Sequence, residues 1–173
     1  MSILSYGGYG AGVIAILAAG TMLLPRNVRV ERVATISAPP ADIIAIASSA
    51  ESYQKFNPYK KADAGFKYEV FGPATGVGSG FKFDSKDGKG QAVVTKVGAD
   101  RVEYALDLGA MGKPNQTILV TPDGAGSKVS WALDADMGYN PIGRVMGLFL
   151  DGMIGKNHES GIKLLGEALK PQS

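Results

Sequence analysis

His158 is the only histidine in the 173-residue chain, and a lone imidazole is the first place to look for acid–base chemistry. Proton transfer near neutral pH falls to histidine, or to a carboxylate or lysine whose pKa has been moved. A metal centre takes three or four ligands, and His158-Glu159 offers no such cluster, so no metal site is read and no cofactor is expected. His158 lies at the margin of an apolar helical stripe, where a partly exposed imidazole is expected. Asp134 and Asp136 are two residues apart in a strand-like run, on the side carrying Lys128, Ser130 and Ala132. That side is mostly polar, which points to solvated carboxylates and not to an acid–base pair. The chain has no cysteine, which removes disulfides, thiolate ligands and cysteine nucleophiles together.

The remaining motifs dissolve on inspection. "GVGSG" (Gly76 to Gly80) is glycine-rich but precedes a strand, so it fails the phosphate-loop and dinucleotide patterns and reads as a turn. "DSKDGKG" lacks the ligand spacing of a calcium loop. Asn115-Gln116-Thr117 is a glycosylation sequon, meaningful only in a eukaryotic secretory protein. Lys plus Arg total 18 against 16 Asp plus Glu; no basic stripe forms, and nucleic acid is not an expected partner. What is left is a set of polar side chains on apolar faces. Asn157 lies on the helical stripe, Tyr104 and Trp131 in alternating strands, and Tyr68 on the face of Phe66 and Val70. A buried amide or phenol needs a partner, which an enclosed ligand, water or a backbone carbonyl could supply.

These residues must be positioned by strands and one long helix. "VRVERVATIS" is rich in β-branched residues, and Pro39-Pro40 stops it and opens a short helix. "AESYQKF" reads as a second short helix or turn, ended by Asn57-Pro58. Six further runs alternate with period two. In "RVEYALDL", Val102, Tyr104, Leu106 and Leu108 share one face while Arg101, Glu103 and Asp107 share the other. Short turn signals between them predict an antiparallel meander. A sheet with one wet face needs an apolar cover, and the C-terminal helix supplies it. Ile142, Met146, Phe149, Leu150, Met153, Ile154, Leu164, Leu165 and Ala168 fall on one broad stripe that also holds Asn157 and Gly161. Gly147, Gly152 and Gly155 project mostly off that stripe.

"VRVERVATISAPPADI", "YQKFNPY", "GVGSGFKF", "GSKVSWALDADM" and "HESGIKLLGEAL", in that order, resemble the blocks of the polyketide cyclase/dehydrase and lipid-transport (SRPBCC) group. That group belongs to the START-like, Bet v 1-like helix-grip superfamily. The likeness covers about residues 28 to 169. Phe56-Asn57-Pro58 departs from the Trp-x-x-Pro pair of many members. The resemblance implies an α+β fold: a curved seven-stranded antiparallel sheet around a long C-terminal helix, with a hydrophobic cavity between them. Gly161, on the stripe, would then leave volume, and Met146 and Met153 could adapt to ligands of varied shape. The implied lining is Tyr68, Phe81, Phe83, Tyr104, Leu106, Trp131, Leu133, Met146, Phe149, Leu150, Met153 and Asn157.

The N-terminus differs in kind. "ILSYGGYGAGVIAILAAGTMLL" (Ile3 to Leu24) carries no charge and is long enough for a bilayer core; no positive n-region precedes it, so an anchor is expected over a signal peptide. The chain divides into a membrane anchor over residues 1–26 and a helix-grip ligand-binding domain over 27–173. Gly7, Ala11, Ala15 and Ala19 repeat at four-residue spacing, as do Gly8 and Gly12, which would let two anchors pack as a homodimer; chance spacing in an alanine-rich segment is the simpler reading. Arg26, Arg29 and Arg32 follow, which leans the domain towards the cytoplasmic side. The expected function is membrane-tethered binding or transport of a hydrophobic small molecule or lipid. The alternative is a cyclase or dehydratase that folds a polyketide-like chain in the same cavity, with Tyr104, Asn157 and His158 as catalytic candidates. A third possibility is an interaction domain whose cavity has collapsed into ordinary core.

Overall fold

The computed structural model describes residues 19–170. Strand β1 (Asn27–Ile36) is followed by three short helices: α1 (Pro40–Ala47), α2 (Ala50–Tyr53) and α3 (Pro58–Ala62). Asn57-Pro58 ends the turn that follows α2, where the sequence placed an end, and also starts α3. Asn57 Oδ1 accepts from the Tyr59 and Lys60 amides at 3.0 and 3.4 Å, satisfying two donors of the first turn. The meander comprises β2 (Lys67–Phe71), β3 (Gly80–Ser85), β4 (Gly88–Val97), β5 (Arg101–Asp107), β6 (Asn115–Asp123) and β7 (Gly126–Asp136). All seven strands form one antiparallel sheet in the order β1-β7-β6-β5-β4-β3-β2. A register shift between Val94 and Lys96 marks a bulge, a device that bends a strand. Helices α4 (Pro141–Gly147) and α5 (Leu150–Ala168) close the chain.

Helix α5 lies against β1 and β7, and two of its glycines make close contacts there, Gly161 setting the distance. A Cβ on Gly161 would stand 2.5 Å from the Trp131 ring, and one on Gly155 would stand 2.1 Å from the Arg32 guanidinium. Arg32 crosses the helix at that point. It donates to Asp151 at 2.8 and 2.9 Å and to Glu159 at 2.8 Å, one helical turn either side of Gly155. Gly161 therefore leaves no volume; the Trp131 ring fills it. Trp131 is fully buried among Tyr53, Phe56 and His158, with ring centroids 5.5–6.0 Å away. Ile43, Ile118, Val120, Val129, Ile162 and Leu165 complete a solid core at this end of the sheet.

His158 is 1% exposed and stacked on Trp131, not partly exposed. The stripe's margin lies against β7 because Gly161 brings the helix in. Desolvation is the main cause that pushes the imidazole pKa down, to about 4; Arg32 adds repulsion, and a hydrogen bond with the Trp131 backbone offsets part of it.

The single apolar stripe divides. The helix breaks between Gly147 and Leu150, and before the break the apolar residues face outward. Ile142 is 74% and Phe149 60% exposed, while Arg144 and Gly147 turn inward. Gly147 packs on Val28 and Met137 and Gly155 on Arg32, against the expectation that they project away, whereas Gly152 points into open space. The expected anchor and the small-residue spacing at Gly7 to Ala15 lie almost wholly outside the described residues. Among the described residues, no helix is long and apolar enough to cross a membrane. Arg26 and Arg29 pair with Asp136 and Asp134 across the β1–β7 edge, so both carboxylates serve as ion-pair partners on the outer face.

Gly161→Ala is expected to destabilise the protein by about 1–3 kcal/mol through overpacking against Trp131, read by urea unfolding. Gly152→Ala meets nothing within 4 Å and should stabilise by up to about 1 kcal/mol through helix propensity. Protonating His158 opposes folding, because its folded pKa of about 4 lies below the ordinary 6.5. Stability should therefore be complete above pH 6.5 and fall as pH drops towards 4, by about 3 kcal/mol relative to His158→Phe. Parallel unfolding curves of the two proteins across that window check it.

Candidate functional site

At the opposite end of the sheet from the solid core, the first turns of α5 and the strands enclose a half-open cavity of about 240 Å³. Period-two alternation turns Phe81, Phe83, Ala92, Leu106, Leu133 and Ala135 towards it, and Leu150, Met153, Ile154 and Asn157 come from α5. Its mouth lies between the β3–β4 turn (Asp87, Gly88), the connection after β5 and the start of α5. Met111 on that connection is 62% exposed and Met153 57%, yet both line the cavity.

The polar groups inside are neutral and come in pairs. Gln116 Nε2 donates to Tyr53 Oη at 3.3 Å. Tyr59 shares a hydrogen bond with Asn157, and burial is the main cause raising its pKa, as it is for Tyr53. Both phenols stay protonated at neutral pH. Asn57 lines the wall while its Nδ2 donates to Gln54 Oε1 at 3.0 Å, a bond that fixes the amide as the cap of α3. Among the described residues, Asp87 supplies the sole formal charge on the lining, and it sits exposed at the mouth.

Seven residues singled out from the sequence meet here: Phe81, Phe83, Leu106, Leu133, Leu150, Met153 and Asn157. Tyr104 and Trp131 lie in the solid core instead; Tyr104 is 3% exposed and its hydroxyl donates to the Ala47 carbonyl. Tyr68 sits on a shallow outer cleft beneath Lys60, whose Nζ is 4.9 Å from the ring centroid. Met146 and Phe149 face outward. The three catalytic candidates are dispersed: only Asn157 reaches the cavity. Sequence reasoning missed Gln116, Tyr53, Asn57 and Tyr59. Gln116 carried a signal, since it shares alternation with Ile118 and Val120. The other three lie on helices too short for periodicity to orient. Among the described residues, no group of acids and histidine is placed to hold a metal ion.

The family profile described as polyketide cyclase / dehydrase and lipid transport matches residues 27–170. No curated protein matches the sequence. Among solved structures, truncated norcoclaurine synthase from Thalictrum flavum is 15% identical with a TM-score of 0.63, over 85% of this chain and 96% of that one. The di-domain ARO/CYC StfQ from the steffimycin biosynthetic pathway is 14% identical with a TM-score of 0.62, over 82% of this chain and 50% of that one. Protein CV1439 from Chromobacterium violaceum is 17% identical with a TM-score of 0.57, over 86% and 100%. These likenesses are of fold. The profile spans nearly all of the sheet and helices just described, and the chain belongs to the polyketide cyclase / dehydrase and lipid transport family, with the Bet v 1-like helix-grip fold.

Proposed function

We propose that this protein is a membrane-tethered binder of a small, neutral, largely apolar molecule carrying one or two hydrogen-bonding groups. The observation that supports this reading most is the cavity: about 240 Å³, lined by aliphatic and aromatic side chains, with uncharged Tyr–Gln and Tyr–Asn pairs. Apolar walls with a few placed polar groups are what non-covalent recognition of such molecules requires. The volume is just below the usual range for drug-sized ligands and suits about ten to fifteen non-hydrogen atoms. A two-chain lipid exceeds it. Charge is selected against, because an ion moved into this lining would lose hydration with no buried counter-ion to replace it. The uncharged run from Ile3 to Leu24 supports the tether, which would keep the cavity beside the phase where such molecules dissolve.

A cyclase or dehydratase reading draws on confinement and orientation, but the dispersal of Tyr104, Asn157 and His158 gives it no assembled proton-transfer site. The binding reading is the better supported. Calorimetric titration with 2-naphthol, naphthalene and 2-naphthoate tests it on the full-length protein. 2-Naphthol should bind, and the naphthoate anion should bind at least about tenfold more weakly. Ala135→Trp, which fills the cavity, should abolish binding, and Asn157→Leu should erase the preference for 2-naphthol over naphthalene. Binding of 2-naphthol unaffected by Ala135→Trp would remove the cavity from consideration.

A further inference from the structure

The outward half of the split stripe has no occupant among the described residues. Ile142, Val145, Met146, Phe149 and Met153 follow helical spacing across α4 and into α5, and each is 39–74% exposed. Leu148, at 57%, sits between them, and Tyr139, at 73%, adjoins them in sequence. Between Pro141 and Leu150 the one charged residue is Arg144, which is 6% exposed and turned inward. A soluble domain rarely leaves so much contiguous apolar surface uncovered.

Arg144 connects this surface to the incoming chain. Its Nη1 donates to the Met22 and Leu24 carbonyls at 2.6 and 2.9 Å, and its Nε donates to the Gly138 carbonyl at 3.0 Å. The Met22 and Leu24 carbonyls belong to the end of the uncharged run Ile3 to Leu24, whose length matches a bilayer core. Asn27 pairs with Asp136 at the same end of the sheet that carries Ala135, Met137 and the cavity mouth. Chain entry, exposed stripe and mouth therefore occupy one end of the molecule, and Arg144 fixes the first of these to the second.

We propose that the α4–α5 elbow is a membrane-docking surface: Ile142, Val145, Met146, Phe149 and Met153 enter the interfacial region of a bilayer, holding the cavity mouth against it. An amphipathic helix binds an interface through its buried apolar area; resting on the proposed tether, the contact of Arg144 with Met22 and Leu24 puts the tether's end against α4 and raises the effective concentration of that surface for the elbow. The mouth-lining Met153 is part of the stripe, so an apolar solute could pass between bilayer and cavity without crossing water. The docking surface stands whatever the cavity holds.

The cysteine-free chain permits a direct test. Full-length Ile142→Cys, Phe149→Cys and, at the far end of the sheet, Val77→Cys would each carry one environment-sensitive fluorophore. Each protein is reconstituted into phosphatidylcholine vesicles with and without brominated acyl chains. The labels at 142 and 149 should shift to shorter wavelength and be quenched at least about twofold by brominated lipid, and the label at 77 should not respond. Labels at 142 and 149 that remain open to aqueous iodide in vesicle-bound protein would overturn the proposal. Shielding without quenching by brominated lipid would also overturn it, assigning the stripe to residues 1–18 or to a second copy. Failure to float with vesicles would do the same. 2-Naphthol titration of the same proteins reads the cavity separately.

Discussion

The distance between α5 and the sheet is the constraint on which the rest of this structure depends. At Gly161 the helix backbone meets the Trp131 ring, and at Gly155 it meets the Arg32 guanidinium. The Trp131 ring leaves no space for a methyl group at Gly161, whereas at Gly155 the long Arg32 side chain would have to shift. Two helical glycines weaken local propensity by about 1 kcal/mol each, and the contact they permit offsets that loss by burying Trp131 and His158 completely. Arg32 adds three hydrogen-bonded contacts to Asp151 and Glu159. These pairs are partly exposed, so their value lies more in fixing the helix's rotation than in raw stability.

Close contact at one end produces hollowness at the other. The core between Ile43 and Leu165 is filled by large, buried side chains. Towards the start of α5, Leu150, Met153 and Ile154 turn to the cavity and line it. The polar residues follow the same division. In the solid half, Tyr104 is satisfied internally by the Ala47 carbonyl. At the boundary Tyr53, which also packs on Trp131, pairs with Gln116, and in the hollow half Tyr59 pairs with Asn157; all four front the cavity. Buried polar groups that are satisfied but accessible can accept a ligand without a large desolvation cost.

Much of the fold was legible because strand alternation is a strict code. The inward sets Val102–Tyr104–Leu106 and Val129–Trp131–Leu133 follow directly from period two, and the order of elements carried the family resemblance. Depth along the strand was not legible. Alternation places Trp131 and Leu133 on the same face but cannot tell that one fills the core and the other lines a cavity. The helical stripe shows the complementary failure. Its period is correct through Ile142, Met146, Phe149 and Met153, yet periodicity defines a face and not what that face meets. Arg144 and Gly147 at i, i+3 on the opposite side were the clue, for a buried arginine that donates to three carbonyls and a glycine against Val28 define an inner face that hydrophobicity alone assigns wrongly. His158 was misplaced for a related reason: the expected exposure ignored how far Gly161 draws the helix inward.

Intermolecular NOEs between 2-naphthol and methyl-labelled full-length protein would most directly test the division into a solid half and a hollow half. The account predicts contacts to the methyl groups of Leu106, Leu133, Leu150 and Ile154, and none to Ile118, Ile162 or Leu165. Contacts to Ile162 or Leu165, beneath the glycine-mediated seam, would contradict it.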